Sequence, residues 1–107
     1  MMGEIRSKAY LALKEKHATF MDAVEALGQA AKQGGPLDAK TGHLIQLSAA
    51  AAIRSEGAVH SHTRRALEAG AKAGEIYHTL ILLASTIGFP TVVAALTWAD
   101  DVIEGKK

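Results

Sequence analysis

Between positions 43 and 62 the chain places three of its five histidines and a serine, and these are the side chains best suited by type and spacing to chemistry: His43, Ser55, His60 and His62. Imidazole titrates near neutral pH, which makes His62 the first candidate for general acid–base work. Its competing reading is a core or interface histidine with one hydrogen-bond partner, because a single histidine defines no reaction. Ser55 lies seven residues earlier. On a helix that is about 20° around the axis and about 10 Å along it, so the two share a face but His62 cannot reach the hydroxyl as a base. Capping a helix explains Ser55 more simply. His60 and His62 point to roughly opposite sides of a helix and make no chelate, whereas an i, i+4 pair would. A metal site would need His43 or another helix to supply ligands beside His60 and His62, and we expect neither metal nor cofactor. His43 falls in the first turns of the preceding helix, where it can face the cleft beside His62. His17 and His78 have no evident companions, and Arg64–Arg65 reads as a solvated or subunit-facing pair that also suits an anion.

Composition narrows the field. There is no cysteine, which excludes disulfides, thiolate nucleophiles and Cys-based metal sites. The net charge is +1, with 12 basic and 11 acidic residues dispersed along the chain, so nothing resembles the basic stripe of a nucleic-acid binder. Apolar residues make up 49% and aromatic ones only 5%, a composition of small and aliphatic side chains that lets helices approach closely. The longest apolar run, Leu80 to Ala84, is far too short to span a bilayer. The segment Met1 to Lys8 lacks the apolar stretch of a signal peptide. We expect a single domain over residues 1–107, located in the cytoplasm, with no membrane or nucleic-acid partner.

The elements that must position these groups are all helical. Glu4 to Lys16 carries Ile5, Ala9, Ala12 and Leu13 on one face, and His17-Ala-Thr19 bends the chain. Thr19 is the expected cap of a second helix over Phe20–Gln33, with Phe20, Val24, Leu27 and Ala31 at helical spacing, stopped by Gly34-Gly-Pro36. Asp38 caps a third helix with two adjacent rows expected to be buried, Leu44/Leu47/Ala51 and Ile45/Ser48/Ala52. Arg54-Ser55 breaks it, Ser55 caps the fourth helix, Glu56 suits its first turn, and Gly70 ends it. Glu75–Thr86 reads as one strongly apolar fifth helix, buried within the subunit or between subunits. Gly88-Phe-Pro90 starts a last helix with Val92, Leu96, Ala99 and Ile103 inward, Trp98 off that row, and Gly105-Lys-Lys as a frayed tail. The fold class is all-α, a bundle of about six helices, and a chain this short gains by forming a homo-oligomer.

Leu37-Asp-Ala-Lys-Thr-Gly-His-Leu-Ile, the small-residue run after it, His62-Thr-Arg-Arg-Ala-Leu-Glu-Ala-Gly-Ala, Glu75-Ile and Gly88-Phe-Pro90 together resemble the carboxymuconolactone decarboxylase family, which includes the AhpD-like alkylhydroperoxidases. The resemblance covers about residues 18–104. It implies an AhpD-like all-α fold and assembly into a trimer or hexamer. In the redox branch of that family a Cys-x-x-Cys-x-x-x-His motif follows a glutamate. Laid on this chain, the cysteines become Ser55 and Ala58, the glutamate becomes His43, and only the histidine remains, as His62. Thiol peroxidase chemistry is therefore not expected.

The decarboxylase branch implies a carboxylated unsaturated lactone as substrate. Losing carbon dioxide needs a proton donor at the electron-rich carbon and a place to hold carboxylates. His62 would serve the proton, with His43, His60 or Ser55 assisting. The N-terminus of the fourth helix near Ser55-Glu-Gly57, with Arg54 or Arg65, would hold the anion, although Glu56 would repel it if it faced the site. Gly57 would admit a ligand close to the backbone. The alternative is a non-catalytic binding or interaction member of the family. The two readings differ in whether His62 shares its site with a second titratable or cationic group.

Overall fold

A computed structural model describes residues 8–105 as a wholly helical chain. Among the described residues there are seven helical segments: α1 Lys8–Lys16, α2 Ala18–Lys32, α3 Ala39–Ala52, α4 Glu56–Glu68, α5 Ala73–Ile81, α6 Ala84–Ile87 and α7 Phe89–Ile103. No helix among them is long and apolar enough to cross a membrane. The beginning of the expected first helix with Ile5, the N-terminal stretch 1–7 read for a signal peptide, and the Lys106–Lys107 tail lie outside the described residues. Contacts divide the chain into two units, one ending at Leu37 and one beginning at Asp38.

In the first unit α1 and α2 are tied by Glu25, which accepts hydrogen bonds from the Tyr10 hydroxyl and from Lys14 Nζ. The bend falls at His17, as expected. The cap, however, is His17 and not Thr19: the His17 carbonyl already accepts from Met21 N–H at 2.9 Å, so the helix is under way before Thr19 is reached. Phe20, Val24 and Leu27 are exposed in the single chain and Met21 is buried.

The second unit is built around α4, which packs most extensively on α3 and next on α7. Close approach rests on small side chains: Ala50 and Ala51 of α3, Ala66 of α4, and Ala95 and Ala99 of α7 are buried beside Leu47, Val59, Ile76 and Leu80. Only one of the two expected α3 rows is buried. Leu47 and Ala51 are in the core, but Ile45 is 51% exposed and Ala52 is exposed too, because the helices that pack on α3 cover only the side carrying Leu47 and Ala51. The inward row of α7 is as expected, with Val92 and Ala99 buried and Leu96 and Ile103 packed against the core.

The turns are closed by hydrogen bonds that the sequence partly announces. Asp38 caps α3, accepting from Thr41 N–H at 2.8 Å, and this bond holds its carboxyl below the usual range. Ser55 caps α4, accepting from Ala58 N–H at 3.3 Å. Both α3 and α4 end in the same motif. After α4, Gly70 N–H bonds Leu67 and Ala71 N–H bonds the Ala66 carbonyl, with Gly70 at φ +103°. After α3, Arg54 N–H bonds Ala51 and Ser55 N–H bonds Ala50, but the left-handed residue is Arg54, at φ +57°. A side chain there costs about 1 to 2 kcal/mol relative to glycine. In return the α3–α4 connection is only three residues long, and Ser55 closes one helix while opening the next.

The expected single helix over Glu75–Thr86 is two segments. Leu83 N–H turns to the Leu80 carbonyl at 3.1 Å, a tightened i→i−3 bond that ends α5 before α6 begins. The run Leu80-Ile-Leu-Leu is apolar on every side, so its pattern carries no phase to mark the break. Ile76 and Leu80 enter the core, while Ile81 and Leu82 remain 53% and 62% exposed in the single chain.

Thr63 sits fully buried in the α4 core face, and among the described residues its hydroxyl has no hydrogen-bond partner. Thr63→Val should therefore raise stability, by about 1 kcal/mol, by removing an unsatisfied polar group at similar shape. Leu80→Ala should lower it by about 2 to 5 kcal/mol. Urea unfolding of both variants checks this pair, and a destabilised Thr63→Val would mean that the hydroxyl is bonded after all.

Candidate active site

His43 lies on the buried stripe of α3 that continues through Leu47 and Ala50, and is itself only 6% exposed. His62 lies at the edge of the α4 core face formed by Val59, Thr63 and Ala66. Because α3 and α4 pack closely, the two imidazoles meet: their Nδ1 atoms are 3.4 Å apart, their ring centroids 5.6 Å, and their planes are tilted by 34°. At that separation an N–H···N bond is long and weak. Two Nδ1 atoms facing one another also constrain the tautomers. One ring presents N–H and the other a lone pair, and the accepting ring carries its own proton on Nε2.

The surroundings decide the charge. Burial pushes the His62 pKa down to about 4, with the positive charge of Arg65, the neighbouring His43 and Arg64 adding to the effect. His62 is therefore a neutral imidazole at pH 7. It can accept a proton there, but it serves as a proton donor only after something offsets these costs. Its cationic neighbours also make the place attractive to an anion.

The other expected site residues have different partners. The Ser55 hydroxyl oxygen is engaged in capping α4. His60 faces away from the pair: its Nε2 is 2.9 Å from Asp101 Oδ2 of α7 and 3.9 Å from Glu56 Oε2. Glu56 thus lies on the His60 side of α4. Arg54 donates to Thr91 Oγ1 at 2.9 Å, which leaves Arg65 as the arginine most strongly felt at His62. A Cβ on Gly57 would meet no atom within 4 Å, so nothing inside the chain crowds that backbone. Glu75 joins two helix starts, accepting from Lys72 N–H at 2.9 Å and from Lys40 Nζ at 3.0 Å. The structure thus brings His43 and His62 together and leaves Ser55 and His60 with other partners. It also gathers Glu56, His60 and Asp101, a grouping whose sequence signal is the i, i+4 spacing of Glu56 and His60.

The depressed His62 pKa has a consequence for stability. The unfolded chain binds a proton at His62 below about pH 6.5, and the native protein does so only near pH 4. The unfolded state therefore holds more protons between these values, and this contribution to stability is lost as the pH falls through the window. Wild type should lose stability more steeply than His62→Gln from pH 7 to 4. Urea midpoints for the two proteins, taken across that range, test it; parallel losses would contradict it.

Comparison with known proteins agrees with this architecture. A protein from Legionella pneumophila, crystallised in its apo form and described as a carboxymuconolactone decarboxylase family protein, superposes with a TM-score of 0.77 at 25% sequence identity, covering 92% of this chain and 88% of that one. An uncharacterised protein of Haemophilus influenzae is 38% identical over 59 residues, 55% of this chain. That match spans only 52% of the Haemophilus protein's length. The sequence profile of the carboxymuconolactone decarboxylase family matches residues 18–101, which takes in His43, Ser55, His60 and His62. The chain belongs to the carboxymuconolactone decarboxylase family, as a member whose sequence contains no cysteine.

Proposed function

We propose that this protein is a cytoplasmic enzyme acting by acid–base chemistry at His62 on a carboxylated lactone or a similar small acid. The observation that carries this reading is the His43–His62 pair, with His62 held neutral beside cationic neighbours. A substrate carboxylate binding near Arg65 supplies the negative charge that the site lacks. That charge raises the His62 pKa, and the imidazole takes a proton from solvent as the substrate binds. In the reaction the bond between the ring carbon and the carboxyl carbon breaks, and carbon dioxide leaves. The electron pair spreads into the unsaturated lactone, and His62 delivers its proton to the carbon left electron-rich. His43 receives or supplies the N–H that keeps His62 in one orientation. Ser55 contributes through the helix it caps. No thiol step enters, because the sequence has no cysteine.

The second reading, a non-catalytic binding member, is favoured by Ser55 and Ala58 standing where the redox branch has its cysteines. Either way we expect the chain to assemble with copies of itself as a trimer or hexamer. Ile81, Leu82, Phe89 and Val93 support this, since all are large, apolar and exposed in the single chain. Light scattering that found a stable monomer at micromolar concentration would contradict it.

Wild type and His62→Gln should be screened with carboxylated lactones and related small acids by thermal shift, followed by calorimetry in two buffers of different ionisation enthalpy. The expected result is a ligand that stabilises wild type, takes up close to one proton at pH 7, and does neither in the variant. Carbon dioxide release from that ligand would establish turnover. Binding with proton uptake but no release favours the second reading. Ligands that stabilise both proteins equally would remove His62 from the site.

A further inference from the structure

The flank of α4 opposite to His62 holds a different set of groups. Glu56 and His60 are one turn apart on α4, and Asp101 reaches them from α7. One ligand atom from each lies within 4.8 Å of the others. Two of the three are well covered: the side chains of His60 and Asp101 are 22% and 13% exposed, against 44% for Glu56. We propose that Glu56, His60 and Asp101 form a binding site for a first-row divalent metal ion of the zinc type.

The argument is geometric. A tetrahedral zinc ion with bonds of about 2.0 to 2.1 Å has ligand atoms about 3.3 Å apart. His60 Nε2 stands 2.9 Å from the Asp101 oxygen and 3.9 Å from the Glu56 oxygen, values on either side of that edge. All three ligand atoms lie within 4.8 Å of one another, so Glu56, the most exposed of the three, swings inward to complete the set around one ion. The donor types fit as well, since one imidazole and two carboxylates are ordinary zinc ligands and leave a fourth position for water. On binding, Nε2 presents its lone pair to the metal and the ring's one N–H sits on Nδ1, so a proton previously on Nε2 moves to Nδ1 through solvent. The pair of helices is already fixed by the alanine-lined contact of α4 with α7, so binding needs no change of fold. The imidazole in the donor set suits a transition-metal ion better than a hard cation held by oxygen ligands alone.

The test uses full-length protein stripped with a chelator, then dialysed against micromolar zinc, with bound metal measured by emission spectrometry. Cobalt substitution provides a visible spectrum that reports tetrahedral nitrogen and oxygen ligation. We expect one ion per chain in wild type and in His62→Gln. We expect at least tenfold weaker binding in His60→Asn and in Glu56→Gln, the latter a half-exposed change that leaves the core untouched. Absence of stoichiometric metal in wild type would overturn the proposal, leaving the cluster as a hydrogen-bonded ion pair. Equal binding by wild type and Glu56→Gln, or loss of binding in His62→Gln alone, would overturn it too, since the metal would then sit elsewhere.

Discussion

The contact on which the rest depends is the seating of α4 between α3 and α7, made close by alanines. A helix with a buried stripe on one side has two flanks, and each flank meets a different neighbour. His60 and His62 are about 200° apart around the axis. They fall on opposite flanks of the stripe formed by Val59, Thr63 and Ala66. His62 therefore meets His43 of α3, and His60 meets Asp101 of α7. One packing arrangement produces both groupings, and neither could move to the other side without turning the core face of α4 outward.

The short α3–α4 connection sets this seating. Arg54 accepts a left-handed backbone so that the last carbonyls of α3 are bonded, and Ser55 immediately satisfies a first-turn N–H of α4. The connection allows little freedom in the angle between the helices, and hence in the distance between the imidazoles. Local strain of this kind persists only where the surrounding contacts determine the backbone. Here those contacts are the apolar core on both sides of the turn.

Electrostatics then distinguishes two histidines that look alike in sequence. His62 is desolvated among cationic neighbours and stays neutral, whereas His60 has carboxylates beside it. The same residue type is in one place a neutral proton acceptor beside an anion-favouring patch. In the other it is a hydrogen-bonded partner of acidic groups. Thiol chemistry is absent for a simpler reason: the sequence has no cysteine, and the Ser55 oxygen is occupied with capping.

Much of the fold follows from local signals alone. Asp38, Ser55, Gly70 and Pro90 mark helix ends because capping, left-handed φ and a missing N–H depend only on neighbouring residues. The opposed directions of His60 and His62 follow from helical geometry in the same way. Three features did not show locally. The end of α5 at Ile81 was hidden because Leu80 to Leu83 are apolar on all sides, and the exposure of Ile45 depends on which neighbour covers α3. The start of α2 before Thr19 was likewise not signalled by its residue type. The site needed the most from tertiary structure. His43 and His62 are 19 residues apart, and His60 and Asp101 are 41 apart. Periodicity states which way each side chain points from its own helix. Only the packing of α3 and α7 against α4 decides what it meets, and with that the charge His62 carries and the company His60 keeps.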